Sequence, residues 1–154
     1  MSLLALDHFF PYQLTHLQAL VTDNIAQIYT GQFDLSRQQW RVLAVLGNHS
    51  PLSAKEISIQ ANLEKMPTSR AISGMLTQQL LAKSVHDGDK RSSLLTLTKK
   101  GLGIYQQLVP QALKREQTLL SVLSNEEQQQ MKEMFSKLAT QSRKLAELDK
   151  VKTG

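Results

Sequence analysis

The segment from Ser53 to Gly101 constrains the fold of this chain more than any other part of the sequence. Within it the residue pattern predicts a capped short helix, a tight turn, a second helix and a hairpin, one directly after another. Two helices joined by a tight turn and followed by a charged two-stranded ribbon are the elements of a winged helix-turn-helix. The sequence therefore predicts a mainly α fold of the α+β type, with this segment as its central lobe.

The first helix of this segment has a clear start signal. Ser53-Ala54-Lys55-Glu56 is a capping box, in which the serine hydroxyl and the glutamate carboxylate each satisfy a first-turn amide. The pattern places Ala54, Ile57 and Ala61 on the inner face. Asn62 is expected to end the helix, because asparagine tolerates the left-handed conformation of a tight turn.

The second helix is predicted to begin at Pro67, since a proline in the first helical turn has no hydrogen-bonded amide to lose. Ile72, Met75, Leu76 and Leu80 recur at the spacing of an inner face. Small residues and a long cation remain for the outer face, which suits a close approach to base edges, although an ordinary solvent-exposed face is the alternative. This outer face is predicted to hold Lys65, Pro67, Thr68, Arg70, Ala71 and Gly74.

The predicted hairpin has a charged tip. Its strands are Lys83-Ser84-Val85 and Ser93-Leu94-Leu95-Thr96-Leu97, and its tip is Asp87-Gly88-Asp89-Lys90-Arg91. Asp89 is expected to hold Arg91 through a charge-assisted bond, so that the guanidinium projects toward a narrow minor groove. The competing interpretation is a tip that its charges keep soluble.

Helical patterns precede the lobe. One helix is predicted from Leu14 to about Gly31, where the apolar residues keep three-and-four spacing. Ser36 is expected to cap a second helix, which ends at Gly47-Asn48.

Helical patterns also follow the lobe. Thr98 is expected to cap a long helix that is interrupted or bent at Pro110, and Ser124-Asn125-Glu126-Glu127 is a second capping box that opens a last helix. The apolar faces of the flanking helices exceed what a small lobe needs, and a second copy of the chain is their simplest partner. The predicted organisation is a single unit over residues 1–154, with flanking helices at 1–32 and 101–150, a lobe at 33–100, a helix-turn-helix at about 53–78 and a wing at about 83–97.

The positive charge of the chain is concentrated in the lobe. Residues 36–100 hold ten Lys/Arg against four Asp/Glu, whereas residues 1–35 carry three acidic residues and no Lys or Arg. A basic excess confined to one segment is typical of a surface that binds a polyanion such as DNA.

Several classes of function are disfavoured. The chain has no cysteine, so it has no disulfide and no thiol redox switch. No apolar run approaches the roughly 20 residues of a membrane span, and the start of the chain lacks the basic region of a signal peptide. The four histidines show no metal-ligand spacing, and no catalytic motif is present, so we expect no metal, no cofactor and no enzymatic activity.

Four motifs in order resemble one family. They are Leu35-Ser36-Arg37-Gln38-Gln39-Trp40-Arg41-Val42-Leu43, the run from Leu63 to Arg70 with Ile72 and Met75, Asp89-Lys90-Arg91, and Leu97-Thr98-Lys99-Lys100-Gly101. Over nearly all of its length the chain resembles the MarR (multiple antibiotic resistance regulator) family of bacterial transcriptional regulators. The resemblance implies a cytoplasmic homodimer that the helices of residues 1–32 and 101–150 hold together. Its two winged lobes bind a pseudo-palindromic operator in double-stranded DNA, and the bound protein is nucleoid-associated.

The resemblance also implies the residues of the site. By position, Thr68 and Arg70 match recognition-helix contacts, and Asp89 and Arg91 match a wing pair. Lys65, Pro67 and Lys90 are their neighbours and join the predicted DNA-binding set. There are two departures from the family pattern. Gln79 lies where relatives usually have a helix-closing glycine, so the helix is expected to run on or to end in a different cap. Met66 lies where serine or threonine is common.

A regulator of this family is often a repressor that a small aromatic or phenolic effector releases. His16, Trp40 and Arg41 are candidates to line such an effector cleft, with a ring for stacking and cations for a carboxylate. The alternative places Trp40 in the core and His16 on the surface. A different function class also stays open, a winged-helix adaptor that binds another protein without sequence-specific DNA binding.

Overall fold

The structure is a computed structural model and describes residues 4–85 and 93–152. Its helices are α1 (Phe10–Gly31), α2 (Arg37–Asn48), α3 (Ala54–Gln60), α4 (Lys65–Thr77), α5 (Lys99–Leu120) and α6 (Asn125–Lys152), with a 3₁₀ turn at Leu6–His8. Its strands are β1 (Leu52–Ser53), β2 (Leu81–Val85) and β3 (Ser93–Leu97). The predicted mainly α fold with a helix-turn-helix and a paired hairpin is confirmed.

The predicted helix caps are present. At α2, the Ser36 hydroxyl accepts from the Gln39 N–H at 3.2 Å. At α3, the Ser53 N–H donates to the Glu56 carboxylate at 2.8 Å. Ser124 makes the same bond to Glu127 at 2.7 Å, and the Thr98 hydroxyl accepts from the Gly101 N–H at 3.1 Å. These caps depend on residues three apart in sequence, and each fixes where its helix begins.

Some predicted boundaries differ from the structure. The second helix of the lobe, α4, begins at Lys65 rather than Pro67, because a proline is equally tolerated at the third helical position, where the amide still has no partner. The first helix begins earlier than Leu14, at Phe10. Pro110 does not interrupt α5. Ala54 is exposed rather than inward, since it lies at the first position of α3 and lines a surface groove.

The chain divides into two compact units, with the boundary between Arg115 and Glu116. The organisation of residues 1–154 as a single functional unit stays a prediction. The second unit holds α6, whose described side chains are exposed or half-buried, so they form no buried core of their own. The assignment of residues 1–32 and 101–150 to dimerisation stays a prediction.

The first unit contains the core. Val42 and Leu43 of α2 are completely buried, as is Met75 of α4. Apolar side chains from the neighbouring elements close around them, so α2, α3 and α4 pack on one another and on the sheet. The cluster consists of Ile28, Tyr29, Leu35, Val42, Leu43, Leu46, Ile57, Ala71, Ile72, Met75, Leu80, Leu81, Leu95 and Leu108.

The sheet is small and antiparallel, with strand order β1-β3-β2. Leu81 pairs with Leu97, and Lys83 pairs with Leu95. Leu95 also pairs with Leu52 of β1, so β3 joins the hairpin to the start of the helix-turn-helix. Among the helices of the described part, none combines the length and apolar character that crossing a bilayer requires.

Candidate nucleic-acid interface

The turn between α3 and α4 has a fixed geometry. Asn62 has φ 49°, which confirms the predicted left-handed turn, and the Leu63 N–H donates to the Ser58 carbonyl at 3.0 Å. Arg41 of α2 donates from Nη1 to the carbonyls of Ala61 and Asn62 at 3.4 and 3.3 Å. The arginine thus donates hydrogen bonds to carbonyl groups that have no helical partner at the end of α3. Through these contacts α2 fixes the angle at which α4 leaves the turn.

The outward face of α4 carries polar side chains, one arginine and one methionine. Four of its exposed residues, Met66, Arg70, Ser73 and Thr77, follow one another at helical spacing and form a single stripe. We call these four residues the α4 stripe. The full set of exposed residues on the helix is Lys65, Met66, Ser69, Arg70, Ser73 and Thr77. The expectation that Lys65 and Arg70 face outward is confirmed, whereas Ser73 and Thr77 were not predicted.

Two residues assigned to the outer face are buried. Thr68 is 1% exposed, and its hydroxyl donates to the Glu64 carbonyl at 2.7 Å. Ala71 is also buried, in the core cluster. The outward placement of Thr68 and Ala71 is therefore wrong, and a base contact by Thr68 does not fit this structure. The periodicity contained the signal, because Thr68 lies four residues before the buried Ile72.

Surface grooves border α4 on both sides. The groove between α3 and α4 has a volume of about 480 Å³ and is lined by Lys55 and Lys65 together with hydroxyl groups. The groove between α2 and α4 has a volume of about 380 Å³, and Gln38, Pro67 and Arg70 line it. Lysine ammonium and hydroxyl groups are typical donors to DNA phosphates. The structure thus adds Lys55 and Gln38 to the candidate surface, while Pro67 is half-buried at its edge.

The predicted wing contacts, Asp89, Lys90 and Arg91, lie outside the described residues. The strands that lead to them are described, and Val85 pairs with Ser93 at the end of the ladder. The hairpin is thereby confirmed, and the role of its tip stays a prediction.

The carboxyl end of α4 closes in a Schellman motif. The Leu80 N–H donates to the Met75 carbonyl at 2.8 Å, and the Gln79 N–H donates to the Leu76 carbonyl at 3.0 Å. Gln79 has φ 59°, a conformation that glycine adopts at much lower cost. The helix therefore ends where a glycine would end it, although the residue is glutamine. The expectation of a different cap or a longer helix is wrong.

The start of α5 holds this end of α4. The Thr98 hydroxyl contacts the carbonyls of Gln79 and Leu80 at 2.7 and 3.2 Å, and the Thr98 N–H donates to the Leu80 carbonyl at 3.0 Å. Lys100 Nζ donates to the Gln78 carbonyl at 2.9 Å. On the other side, Gln39 Nε2 donates to the Gln78 side chain at 3.3 Å. These contacts fix α4 between α2 and α5.

Replacing Gln79 with glycine is expected to raise the free energy of unfolding by about 0.5–1 kcal/mol. The change removes the strain of a Cβ atom at positive φ and keeps the backbone carbonyl that Thr98 contacts. Urea unfolding at a fixed protein concentration measures it. Gln79→Ala is the matched control, because alanine keeps the Cβ atom and should show no such gain. Equal stability of the two variants would contradict the strained cap.

The carboxylate of Glu56 is held by hydrogen bonds at the start of α3. The Ser53 N–H and hydroxyl both donate to its carboxylate, and these bonds, the backbone one first, lower the pKa of Glu56 below its ordinary value. The charged form is thus favoured in the folded state. The resulting stabilisation is present above the ordinary pKa of glutamate and is lost as the pH falls through the lowered value.

The three residues proposed for an effector cleft do not come together in the chain. Trp40 stacks on Tyr29, with ring centroids 6.1 Å apart and an interplanar angle of 16°, and it packs against the core. His16 is exposed on α1, thirteen residues before Tyr29, or about 20 Å along the helix axis. Arg41 is engaged at the turn before α4. This geometry favours the interpretation of Trp40 as a core residue. His16, Trp40 and Arg41 do not line a common cleft within one chain.

Within residues 4–85 and 93–152, no group of three or more His, Asp or Glu side chains is arranged to hold a metal ion.

Comparison with known proteins places the chain in a family. The model of the MarR family matches residues 35–93. The uncharacterized HTH-type transcriptional regulator YwoH of Bacillus subtilis is 30% identical over 67% of this chain and 74% of its own length. An uncharacterized HTH-type transcriptional regulator of Staphylococcus aureus (strain Mu50) is also 30% identical, over 64% of this chain and 66% of its own. The chain thus spans just under two thirds of the length of the staphylococcal relative.

A solved structure shares the fold. The MepR–DNA complex of S. aureus superposes with a TM-score of 0.80 and 24% identity, over 86% of this chain and 98% of the MepR chain. Together the lobe, the exposed face of α4 and these matches define a winged helix-turn-helix protein. The chain belongs to the MarR family.

Proposed function

We propose that this chain is a homodimeric transcriptional regulator that binds a pseudo-palindromic operator in double-stranded DNA. The observation that carries the proposal is the α4 stripe, in which Arg70 stands exposed beside a run of short polar side chains. Short side chains allow a helix to lie deep in the major groove, and an arginine there donates to O6 and N7 of guanine. The helix is also fixed at both ends, which keeps the geometry of such contacts constant.

Contacts to the DNA backbone come from the groups around the stripe. Lys55 and Lys65 flank the groove between α3 and α4 and are exposed. In this proposal they bind phosphates. The wing residues Lys90 and Arg91 contact the neighbouring minor groove, and Asp89 holds the guanidinium of Arg91. These contacts fix the position of the lobe, and Arg70 contributes sequence preference.

A second copy of the chain covers the apolar residues that the described chain leaves exposed. So many large apolar side chains on a surface are typical of an interface. In the first unit they include Phe10, Leu14, Leu17, Leu20 and Leu113. In the second unit they include Leu119, Val122, Met134, Phe135, Leu138, Leu145 and Leu148. A symmetric dimer presents two α4 helices to half-sites about one helical turn apart.

The proposed regulator is a repressor that a small aromatic or phenolic effector releases. The repressor and effector parts of the proposal rest on the family resemblance. His16, Trp40 and Arg41 of one chain do not form the effector-binding cleft. The repressor works in the cytoplasm and is associated with the nucleoid when it occupies its operator. Its relatives are transcriptional regulators rather than enzymes.

The salt dependence of binding separates this proposal from the adaptor alternative. If a dimer neutralises six or more phosphates, its affinity for duplex DNA should fall by roughly 10³-fold or more between about 50 and 200 mM salt. Fluorescence anisotropy of a labelled duplex at several salt concentrations measures the slope. An adaptor with an apolar interface would bind its protein partner with little salt dependence and would show no such slope on DNA. Absence of DNA binding at the lowest salt would contradict the proposal.

A further inference from the structure

Met66 is an exposed apolar residue on a face that is otherwise polar. The residue is 59% exposed, whereas Met75 of the same helix is 0% exposed and packs in the core. The inner face of α4 is complete without Met66, because Thr68, Ala71, Ile72 and Met75 already form it. Folding of the helix therefore gives no reason for an apolar side chain at this position.

The position of Met66 in the helix suggests a base contact. It is the second residue of α4, and the first turn of a recognition helix is the part that contacts base edges in the major groove. The apolar group that base pairs present in that groove is the C5-methyl of thymine. A methionine side chain is unbranched and polarizable, so it adapts to such a methyl group without needing a hydrogen bond.

The spacing of Met66 and Arg70 on α4 determines how far the thymine lies from the guanine bound by Arg70. Met66 and Arg70 are four residues apart on the α4 stripe, so their Cβ atoms are about 6 Å apart. Successive base pairs are separated by about 3.4 Å. The two side chains therefore reach bases within about two steps of each other.

We propose that Met66 is a specificity-determining residue that contacts the methyl group of a thymine within about two base pairs of the guanine bound by Arg70. The inference rests on the proposed function, and it adds the chemistry by which one half-site position is selected. Burying a single methyl group corresponds to about a fourfold change in the dissociation constant.

Deoxyuridine tests the proposal, because replacing thymine by uracil removes only the methyl group. The full-length protein is titrated against its selected operator, in which each thymine is replaced in turn, symmetrically in both half-sites. The wild type should lose about fourfold in affinity per half-site at one thymine position. Met66→Ser should lose this sensitivity at that position and keep any sensitivity elsewhere. Met66→Leu should retain it, because an apolar side chain remains.

The outcomes are distinguishable. A wild type that is indifferent to every thymine-to-uracil replacement would overturn the inference while leaving operator binding in place. Full sensitivity in Met66→Ser would overturn it as well, since the methyl group would then contact another residue. If neither the wild type nor Met66→Ser binds duplex DNA, the proposed function itself fails. Since Met66 is exposed, urea unfolding should confirm that both variants are as stable as the wild type.

Discussion

Gly101→Ala should lower the free energy of unfolding by about 3 kcal/mol. A Cβ atom at this position would overlap the Leu80 carbonyl oxygen, which is backbone and cannot rotate away. The same oxygen accepts the Thr98 N–H at 3.0 Å and is 3.2 Å from the Thr98 hydroxyl. Relief of the overlap would therefore break the contacts that hold the end of α4. Urea unfolding at matched protein concentration measures the loss, because the stability of the proposed dimer would depend on concentration.

Gly103 offers a matched control two residues away in α5. A Cβ atom there would meet nothing within 4 Å. Alanine inside a helix is more favourable than glycine, so Gly103→Ala should raise the free energy of unfolding by about 0.5–1 kcal/mol. Opposite signs for the two substitutions are the expected result. A Gly101→Ala protein as stable as Gly103→Ala would contradict the close approach of α5 to Leu80.

Arg70→Ala should weaken operator binding by about 1–3 kcal/mol and relax the preference for one base pair in each half-site. The side chain is exposed on the α4 stripe. The short polar neighbours Ser73 and Thr77 cannot replace the bidentate contact to guanine that is proposed for Arg70. Because Arg70 makes no core contact, the stability of the protein should not change. Competition of the operator against single-base variants, measured by anisotropy, gives both the loss and the relaxed position.

Two further variants distinguish base recognition by Arg70 from general electrostatic attraction to DNA. Arg70→Lys keeps the positive charge but loses the planar fork, so it should retain bulk DNA binding and lose most of the discrimination. Arg143→Ala removes an exposed arginine of α6 and should leave operator affinity nearly unchanged. The assignment of Arg70 would be contradicted by a loss no greater than that of Arg143→Ala. The oligomeric mass of each variant should be checked, so that a change in dimerisation is not mistaken for a lost contact.

Local signals predicted the fold well. The boxes Ser53–Glu56 and Ser124–Glu127 depend on residues three apart, so they are visible in the sequence and present in the structure. Asn62 behaves in the same way, because a left-handed turn selects asparagine locally. The positive φ of Gln79 was not predicted, because a glutamine side chain gives no local signal for the left-handed conformation.

The candidate site was predicted in part. Arg70 and Lys65 face outward as expected. The burial of Thr68 could have been predicted from its spacing to Ile72, but the match of Thr68 to a family contact favoured the outer face. Arg41 was predicted to bind an effector, and its contact with the turn after α3 depends on residues twenty positions away in the sequence. Long-range contacts of this kind have no periodic signature.

Selection of bound sequences from a random duplex library, at about physiological salt and with the purified full-length chain, tests the central claim most directly. The account predicts an inverted repeat whose half-sites are about ten base pairs apart, centre to centre. The half-sites should each contain a guanine that Arg70→Ala no longer selects. Recovery of no enriched sequence, or of a single half-site without its inverted copy, would contradict a dimeric regulator that binds a pseudo-palindromic operator.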